Sequence, residues 1–303
     1  MSEHYPRVRF HADHGGLMVR DGLKIWFCLG RPALAMKGTV LRALDIYLRA
    51  IGPQTLQWHL DLEGYWQPLD PQSWEASRSD LSEAPGSSVL LIDDPSVGAA
   101  AFHFEYHVKR LDDPFTSKER ILAAAVGFWL PTEFLEEHGP GAVRELALEL
   151  ASLLPFQSGQ AGLFFNAMLG YRETEEELSR LCLRYPGMDI GAVEFFARLE
   201  GQVKGPSWLT FLGQPVLGEL GGVEGLRSRL SSPGTTVQQL DGERAVITLG
   251  PWPEAGDTEA GRNLPEYREL ARVLEPWLYH ASGPWSSYFP EETWRRWERR
   301  FLD

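Results

Sequence analysis

The arrangement of apolar and polar positions is clearest in residues 206–257. The run at 207–212 is mostly apolar and stops at Gly213, which predicts a short strand. After Pro215, apolar residues recur at spacings of one, three and four, which predicts a helix: Val216, Leu217, Leu220, Val223, Leu226 and Leu230. Two more apolar runs flank the turn pair Asp241-Gly242 and predict a hairpin. The expected order is strand, helix, hairpin, a packing unit without catalytic groups.

The hydrophobic pattern of the N-terminal part of the chain predicts a hairpin, a helix, a strand and a loop. We expect a hairpin over residues 7–29, a helix from Gly30 to Ile51 and a strand at 56–62. Residues 64–87 are rich in proline, serine, tryptophan and charge, and their pattern predicts a long surface loop.

The middle and the end of the chain combine strands with amphipathic helices. Strands are predicted at 88–93, 100–110, 121–130 and 161–166, and helices at 131–154, 264–279 and 291–302. The first of these helices is interrupted at Gly139-Pro140-Gly141.

A strand–helix–strand order therefore occurs three times, at 23–62, 121–166 and 207–249. Strands also follow one another in hairpins, which favours a mixed or antiparallel sheet with helices packed on one face. We predict an α+β fold over residues 1–303, built either as one continuous domain or as two similar fused halves.

Composition is that of an ordinary globular protein. The chain has 303 residues, of which 43% are hydrophobic and 23% charged, enough to bury a sizeable core. No apolar run reaches the roughly eighteen residues of a membrane span, and the first residues lack the features of a signal peptide. We therefore expect a cytoplasmic protein without membrane contact, in which Cys28 and Cys182 are two buried thiols.

The formal net charge of −13 bears on the choice of partner. Nucleic-acid binding needs a basic surface, so this charge argues against direct contact with DNA or RNA. It permits a basic protein partner, because opposite charges accelerate encounter. Solubility alone also explains an acidic balance.

The clearest chemical spacing is His103, Glu105 and His107 on a predicted strand. Alternate residues of a strand share a face, so these three side chains have the spacing of a zinc or iron site. The second interpretation places Phe102, Phe104, Tyr106 and Val108 in the core and the polar set in water, and it needs no metal. We expect no stoichiometric metal and no other cofactor, since the sequence also lacks a Gly-x-Ser-x-Gly elbow and a Gly-Lys-Ser/Thr phosphate loop.

Several short motifs resemble one bacterial family. They are residues 128–133 (FWLPTE), 185–190 (YPGMDI), 208–213 (WLTFLG), 216–222 (VLGELGG), 249–257 (LGPWPEAGD) and 267–271 (YRELA). They are similar to the type VI secretion immunity proteins that are paired with effectors carrying a VRR-NUC nuclease domain, a family first catalogued as a domain of unknown function. The resemblance is strongest over residues 88–303, and no universal active site comes with it.

The resemblance implies a cytoplasmic immunity protein that binds and neutralises a cognate toxin by covering its active site. The alternative function is a metal-dependent hydrolase that uses His103, Glu105 and His107. For the toxin we expect two candidate contact regions, in which acidic side chains lie outside the regular packing units. The first is the 64–80 loop with Tyr65, Trp66, Asp70, Trp74, Glu75 and Asp80, and the second is the acidic run Glu173, Glu175, Glu176 and Glu177.

Overall fold

The apolar runs of the sequence form the strands of one large antiparallel sheet. The computed structural model describes residues 3–13, 15–32, 38–83, 88–110, 121–191, 199, 201–281 and 289–303. The strands are β1 (Arg9–His11), β2 (Leu17–Pro32), β3 (Trp58–Leu60), β4 (Trp66–Pro68), β5 (Val89–Ile92), β6 (His103–Arg110), β7 (Ile121–Pro131), β8 (Phe156–Ala167), β9 (Leu209–Leu212), β10 (Thr235–Gln239) and β11 (Ala245–Leu249).

Strand β2 lies at the centre of this sheet. The order is β10-β11-β9-β8-β2-β7-β6-β5-β3-β4, and β1 pairs with the first part of β2. All of these neighbours are antiparallel. Both faces of β2 are buried, since Leu23, Ile25 and Phe27 point one way and Lys24 and Trp26 point the other. The predicted α+β class with an antiparallel sheet is confirmed.

The predicted helices are present, but not all of them have the predicted bounds, and one further helix lies within the segment predicted as a loop. They are α1 (Thr39–Ile51), α2 (Pro71–Glu83), α3 (Thr132–Leu153), α4 (Arg172–Arg184), α5 (Val216–Glu219), α6 (Gly222–Arg227), α7 (Pro265–Leu274) and α8 (Glu291–Glu298), with 3-10 turns at Pro95–Val97 and Glu275–Trp277. None of the helices in the described residues is both long enough and apolar enough to cross a membrane.

Two helix boundaries differ from the expectation for identifiable reasons. The helix expected from Gly30 begins at Thr39, because β2 keeps its pairing with β7 as far as Pro32. Residues 33–37, which belong to the predicted helix, lie outside the described part of the chain. The helix expected after Pro215 is split into α5 and α6 at Gly221 and Gly222, whose φ angles of 86° and 70° are left-handed and end a right-handed helix. The interruption predicted in α3 is confirmed at Gly139, with φ 75° and ψ 168°.

Helices pack on both faces of the sheet, and this corrects the expectation of a single covered face. Leu209, Phe211 and Val246 lie in the main apolar core with side chains of α1 and α3. The alternate residues Leu212 and Ile247 lie in a second core with side chains of α5, α6 and α7. Since successive residues of a strand point to opposite faces, the two cores lie on opposite sides of the sheet. Cys28 and Cys182 are buried thiols, as expected.

Candidate partner-binding surface

The first predicted contact region is not a loop. Residues 58–83, which we call the edge unit, form the β3–β4 hairpin followed by helix α2. The pairing of β3 with β4 runs from Trp58 opposite Pro68 to Leu60 opposite Trp66. Among the described residues, β4 is the last strand at its end of the sheet. The edge unit therefore lies at one margin of the sheet.

Asp61 organises the turn between β3 and β4. Its Oδ1 accepts hydrogen bonds from the backbone N–H of Glu63 (3.0 Å) and Tyr65 (2.8 Å), and its Oδ2 accepts one from Gln67 Nε2 (3.0 Å). Gly64 has a φ of 87°, a conformation that glycine adopts without strain. The hydrogen bonds from Tyr65 and Gln67 lower the pKa of Asp61, so this carboxylate stays ionised well below neutral pH. The turn is thus held by its own polar contacts.

The same turn exposes large apolar side chains. Leu60 is 36% exposed, Leu62 is fully exposed at 107%, and Tyr65 is 65% exposed. The other large apolar side chains that are exposed in the described part of the chain are Val97 and Tyr171. Three of these five residues therefore lie in six consecutive positions of one hairpin. Concentrated exposed apolar side chains of this kind often mark an interaction site.

Asp70 has a structural role that the sequence analysis missed. Its Oδ1 accepts hydrogen bonds from the backbone N–H and the hydroxyl of Ser73, both at 2.8 Å. These contacts place Asp70 at the N-cap of α2, with Pro71 as the first helical residue. An Asp-Pro pair is a recognised start signal for a helix, so it was available in the sequence. Asp70 is nevertheless exposed and keeps its negative charge, because the hydrogen bonds of Ser73 lower its pKa.

The remaining candidates in the edge unit differ in their exposure. Glu75 is exposed, while Trp66, Trp74 and Asp80 are half-buried. Trp74 packs against the main apolar core, with the Arg78 guanidinium 5.7 Å from its ring centroid. Arg78 in turn joins Asp45 of α1 at 2.7 Å. Trp74 is therefore mainly a packing residue of α2.

The edge unit carries only negative formal charge over most of its length. Residues 50–77 contain Asp61, Glu63, Asp70 and Glu75, but neither lysine nor arginine. The first basic residue after them, Arg78, is neutralised by Asp45. This margin of the sheet thus combines carboxylates with exposed apolar side chains.

The second predicted region lies in α4 and does not form one surface. Glu173 and Glu176 are exposed, and Glu177 is half-buried in an ion pair with Arg180 at 2.6 Å. Glu175 is fully buried, and its Oε1 accepts a hydrogen bond from the backbone N–H of Gly170 at 2.9 Å. Because successive residues of a helix point in different directions, these four side chains do not share one face, and Glu175 is turned away from the surface.

His103, Glu105 and His107 lie on β6 and share a face, as the spacing predicted. This face is not open to water, which corrects the second interpretation: Glu105 is buried and the His103 ring stacks on Trp129 with centroids 5.4 Å apart. His103 Nε2 lies 3.2 Å from Glu105 Oε1. Burial lowers the pKa of His103, although Glu105 opposes this effect. In the described residues no group of three or more His, Cys, Asp or Glu side chains is arranged to hold a metal ion.

A layer of buried cations on the same face was not foreseen. Lys24 is 1% exposed, donates a hydrogen bond from Nζ to the carbonyl of Gly191 at 3.1 Å, and lies 4.1 Å from the ring centroid of Trp129. Near Lys24, Lys204 Nζ forms an ion pair with Asp189 Oδ2 at 2.6 Å. Lys24 stands inside the apolar run 23–29, which was the available sign of burial. These contacts fix the packing on this face of the sheet.

An open cleft of about 430 Å³ lies near the start of β2. Its lining consists of Gly15, Gly16, Met18, Pro95, Ser96, Gly98, Met168 and Tyr171. Among the described residues of this lining there is no carboxylate and no imidazole, the groups that most often carry acid–base catalysis.

The described residues thus form an α+β protein with an acidic, partly apolar edge unit at one margin of its sheet. The solved structure of the Pseudomonas aeruginosa T6SS protein PA0821 has a similar fold, with a TM-score of 0.78 and 19% sequence identity over 98% of this chain and 88% of that chain. A family model described as TsiV, type VI immunity for VRR-NUC, matches residues 39–301. The chain therefore belongs to the TsiV family of type VI immunity proteins. No significant match was found among curated proteins.

Proposed function

We propose that this protein neutralises one cognate VRR-NUC effector by binding it stoichiometrically and covering the surface that contacts nucleic acid. Membership of the TsiV family is the observation that carries the proposal. The acidic edge unit and the net charge of −13 support it, because they complement a basic partner.

The mechanism follows from the electrostatics of nuclease action. A nuclease presents a positive surface to the phosphate backbone of its substrate. An acidic protein that covers this surface excludes the substrate by occupying the same space, and it needs no catalytic turnover. A stable complex of this kind buries on the order of 1,600 Å² in total.

The edge unit is the contact region we favour. Tyr65 and Glu75 are exposed there, and Trp66 is half-buried beside them, so these residues are accessible to the effector. Asp70 and Asp80 contribute negative charge, while Trp74 supports α2 from within. In α4 the exposed Glu173 and Glu176 are a second, less favoured contact region, in which Glu176 is paired with Arg172 at 3.4 Å.

The compartment follows from the target. A nuclease effector damages a cell only where it reaches nucleic acid, and its immunity protein is needed at that place. We therefore propose that this protein acts in the cytoplasm.

Co-purification tests the proposal directly. The cognate VRR-NUC effector, inactivated at its catalytic site, is co-expressed with a tagged copy of this protein and the mixture is separated by size exclusion. We expect one complex that contains the two chains in equal amounts, and no complex with a VRR-NUC effector from an unrelated pair. Separate elution of the cognate chains at micromolar concentration would refute the proposal.

A further inference from the structure

We propose that the tip of the β3–β4 hairpin, residues 60–65, is the element that docks into the basic face of the effector, with Leu62 as its apolar anchor. The inference rests on the proposed function, since the effector is its occupant. It adds residues that neither the family resemblance nor the sequence pattern pointed to, namely Leu60, Leu62 and Glu63.

Leu62 is not needed for the turn in which it stands. The turn is made by Asp61, which accepts the N–H groups of Glu63 and Tyr65, and by Gly64, whose N–H donates to the Asp61 carbonyl at 3.1 Å. The Leu62 side chain is fully exposed and contributes no burial to the fold. The side chain of an exposed leucine at the apex of a turn contributes favourable free energy only when a partner removes it from water.

The hairpin is held in one conformation before binding. The Asp61 backbone N–H donates to the Tyr65 carbonyl at 3.0 Å, and Gln67 Nε2 donates to Asp61 Oδ2 at 3.0 Å. On its inner side β3 pairs with β5, which ties the hairpin to the rest of the sheet. A turn that is already ordered loses little conformational entropy on docking, so more of the contact free energy appears as affinity.

The charge around Leu62 selects the kind of partner. Asp61 and Glu63 flank it directly, and Asp70 and Glu75 follow in the same edge unit without any lysine or arginine between residues 50 and 77. An apolar side chain surrounded by carboxylates fits an apolar pocket with a basic rim. The phosphate-binding surface of a nuclease provides such a rim, whereas an acidic or neutral partner does not.

Val97 provides a matched control for the apolar contact. It is an exposed apolar residue like Leu62, at 45%, but it lies in the 3-10 turn Pro95–Val97 between β5 and β6. The strand register places this turn beyond Ile92 and His103, while the hairpin tip lies beyond Leu60 at the other end of β3. A substitution at Val97 changes surface hydrophobicity without touching the proposed contact.

The experiment measures the kinetics of binding to the purified VRR-NUC domain of the cognate effector. We compare the wild-type protein with Leu62→Ala, Leu62→Asp and Val97→Asp, and we record the melting temperature of each. Leu62→Ala should dissociate about 30-fold faster, as expected for a central anchor, and Leu62→Asp faster still. Val97→Asp should bind within about twofold of the wild type. All four proteins should melt at similar temperatures, because neither side chain is buried.

A second pair of variants tests the charge. Glu63→Lys should slow association, whereas Glu137→Lys, an exposed carboxylate on α3, should not. Wild-type-like binding by the Leu62 and Glu63 variants would overturn the docking element while leaving the proposed function intact. Absence of binding by the wild-type protein itself would overturn both.

Discussion

Lys24 and Leu62 occupy environments opposite to their chemistry. Lys24 is a cation buried in the central strand, where burial lowers its pKa well below the ordinary value and Glu105 opposes this effect. The Gly191 carbonyl and the faces of Trp129 and Phe164 offset part of its desolvation. Lys24 is explained by contacts within the chain, whereas the Leu62 side chain is fully exposed, as the proposed docking contact requires.

Glu269 gives the clearest pH dependence at the level of one residue. Partial burial raises the pKa of its carboxyl, but hydrogen bonds from Ser231 and Ser232 outweigh this and lower it to about 2. Because the folded pKa lies below the unfolded one, the carboxylate stabilises the protein above about pH 4.3, and this contribution is lost as the pH falls towards 2.

We therefore predict that Glu269→Gln lowers the free energy of unfolding by about 1–2 kcal/mol at pH 7, and that this difference shrinks between about pH 4.3 and 2. Urea unfolding of both proteins at pH 7, 4 and 3 measures it. A difference that stays constant over this range would show that the carboxylate does not titrate as described.

Some residue roles were readable in the sequence and others were not. The Asp70-Pro71 pair signals a helix start that the sequence analysis passed over. The burial of Glu175 could not be read in the same way, because a run of four acidic residues gives no direction until the helix is placed on the sheet. Side-chain direction depends on contacts that are distant in the chain.

At the scale of elements, α2 shows why the sequence predicts a loop where the structure has a helix. Its inward positions include Trp74, Ser77 and Leu81, which have the spacing of one helical face. Ser77 is polar, so only two apolar residues mark that face. The proline and serine content of the segment then favoured a loop. Strand β7 and the 23–29 part of β2 were easier to predict, because both of their faces are buried and their residues form nearly continuous apolar runs.

The placement of Trp74 leads to a prediction about α2. Trp74→Ala removes a half-buried ring from the main core and should lower the free energy of unfolding by about 2 kcal/mol. The neighbouring change Glu75→Ala, at an exposed position, should leave stability within about 0.5 kcal/mol of the wild type. Chemical denaturation of the two variants measures this. Equal stability of Trp74→Ala and the wild type would mean that α2 does not depend on this ring.

At the scale of the whole molecule, the sequence predicted the fold class but not the sheet order. That order places β3 and β4 at one margin, although the seven described strands that follow them in the chain are all longer. The order follows from pairings such as that of β2 with β8, which join segments that are distant in the chain. The spacing of hydrophobic residues along the chain does not specify which strands pair with each other. For the same reason the sequence alone could not predict that helices cover both faces of the sheet, or where the edge unit lies.

The overall charge predicts how the complex forms. With a net charge of −13 and a basic partner, association should be accelerated by long-range attraction. Raising the salt concentration from about 50 to 500 mM should slow association with the effector by about tenfold and change dissociation much less. Stopped-flow or surface-based kinetics would detect this. An association rate independent of salt would show that the acidic surface does not steer the encounter.

The central claim is neutralisation by occupancy, and a titration of effector activity tests it most directly. Increasing amounts of this protein are added to a fixed concentration of the active cognate effector, well above the dissociation constant, and the remaining cleavage of DNA is measured. Occupancy predicts a linear loss of activity that ends near one equivalent. Complete neutralisation at a small fraction of an equivalent would contradict this account and indicate that the protein acts as an enzyme.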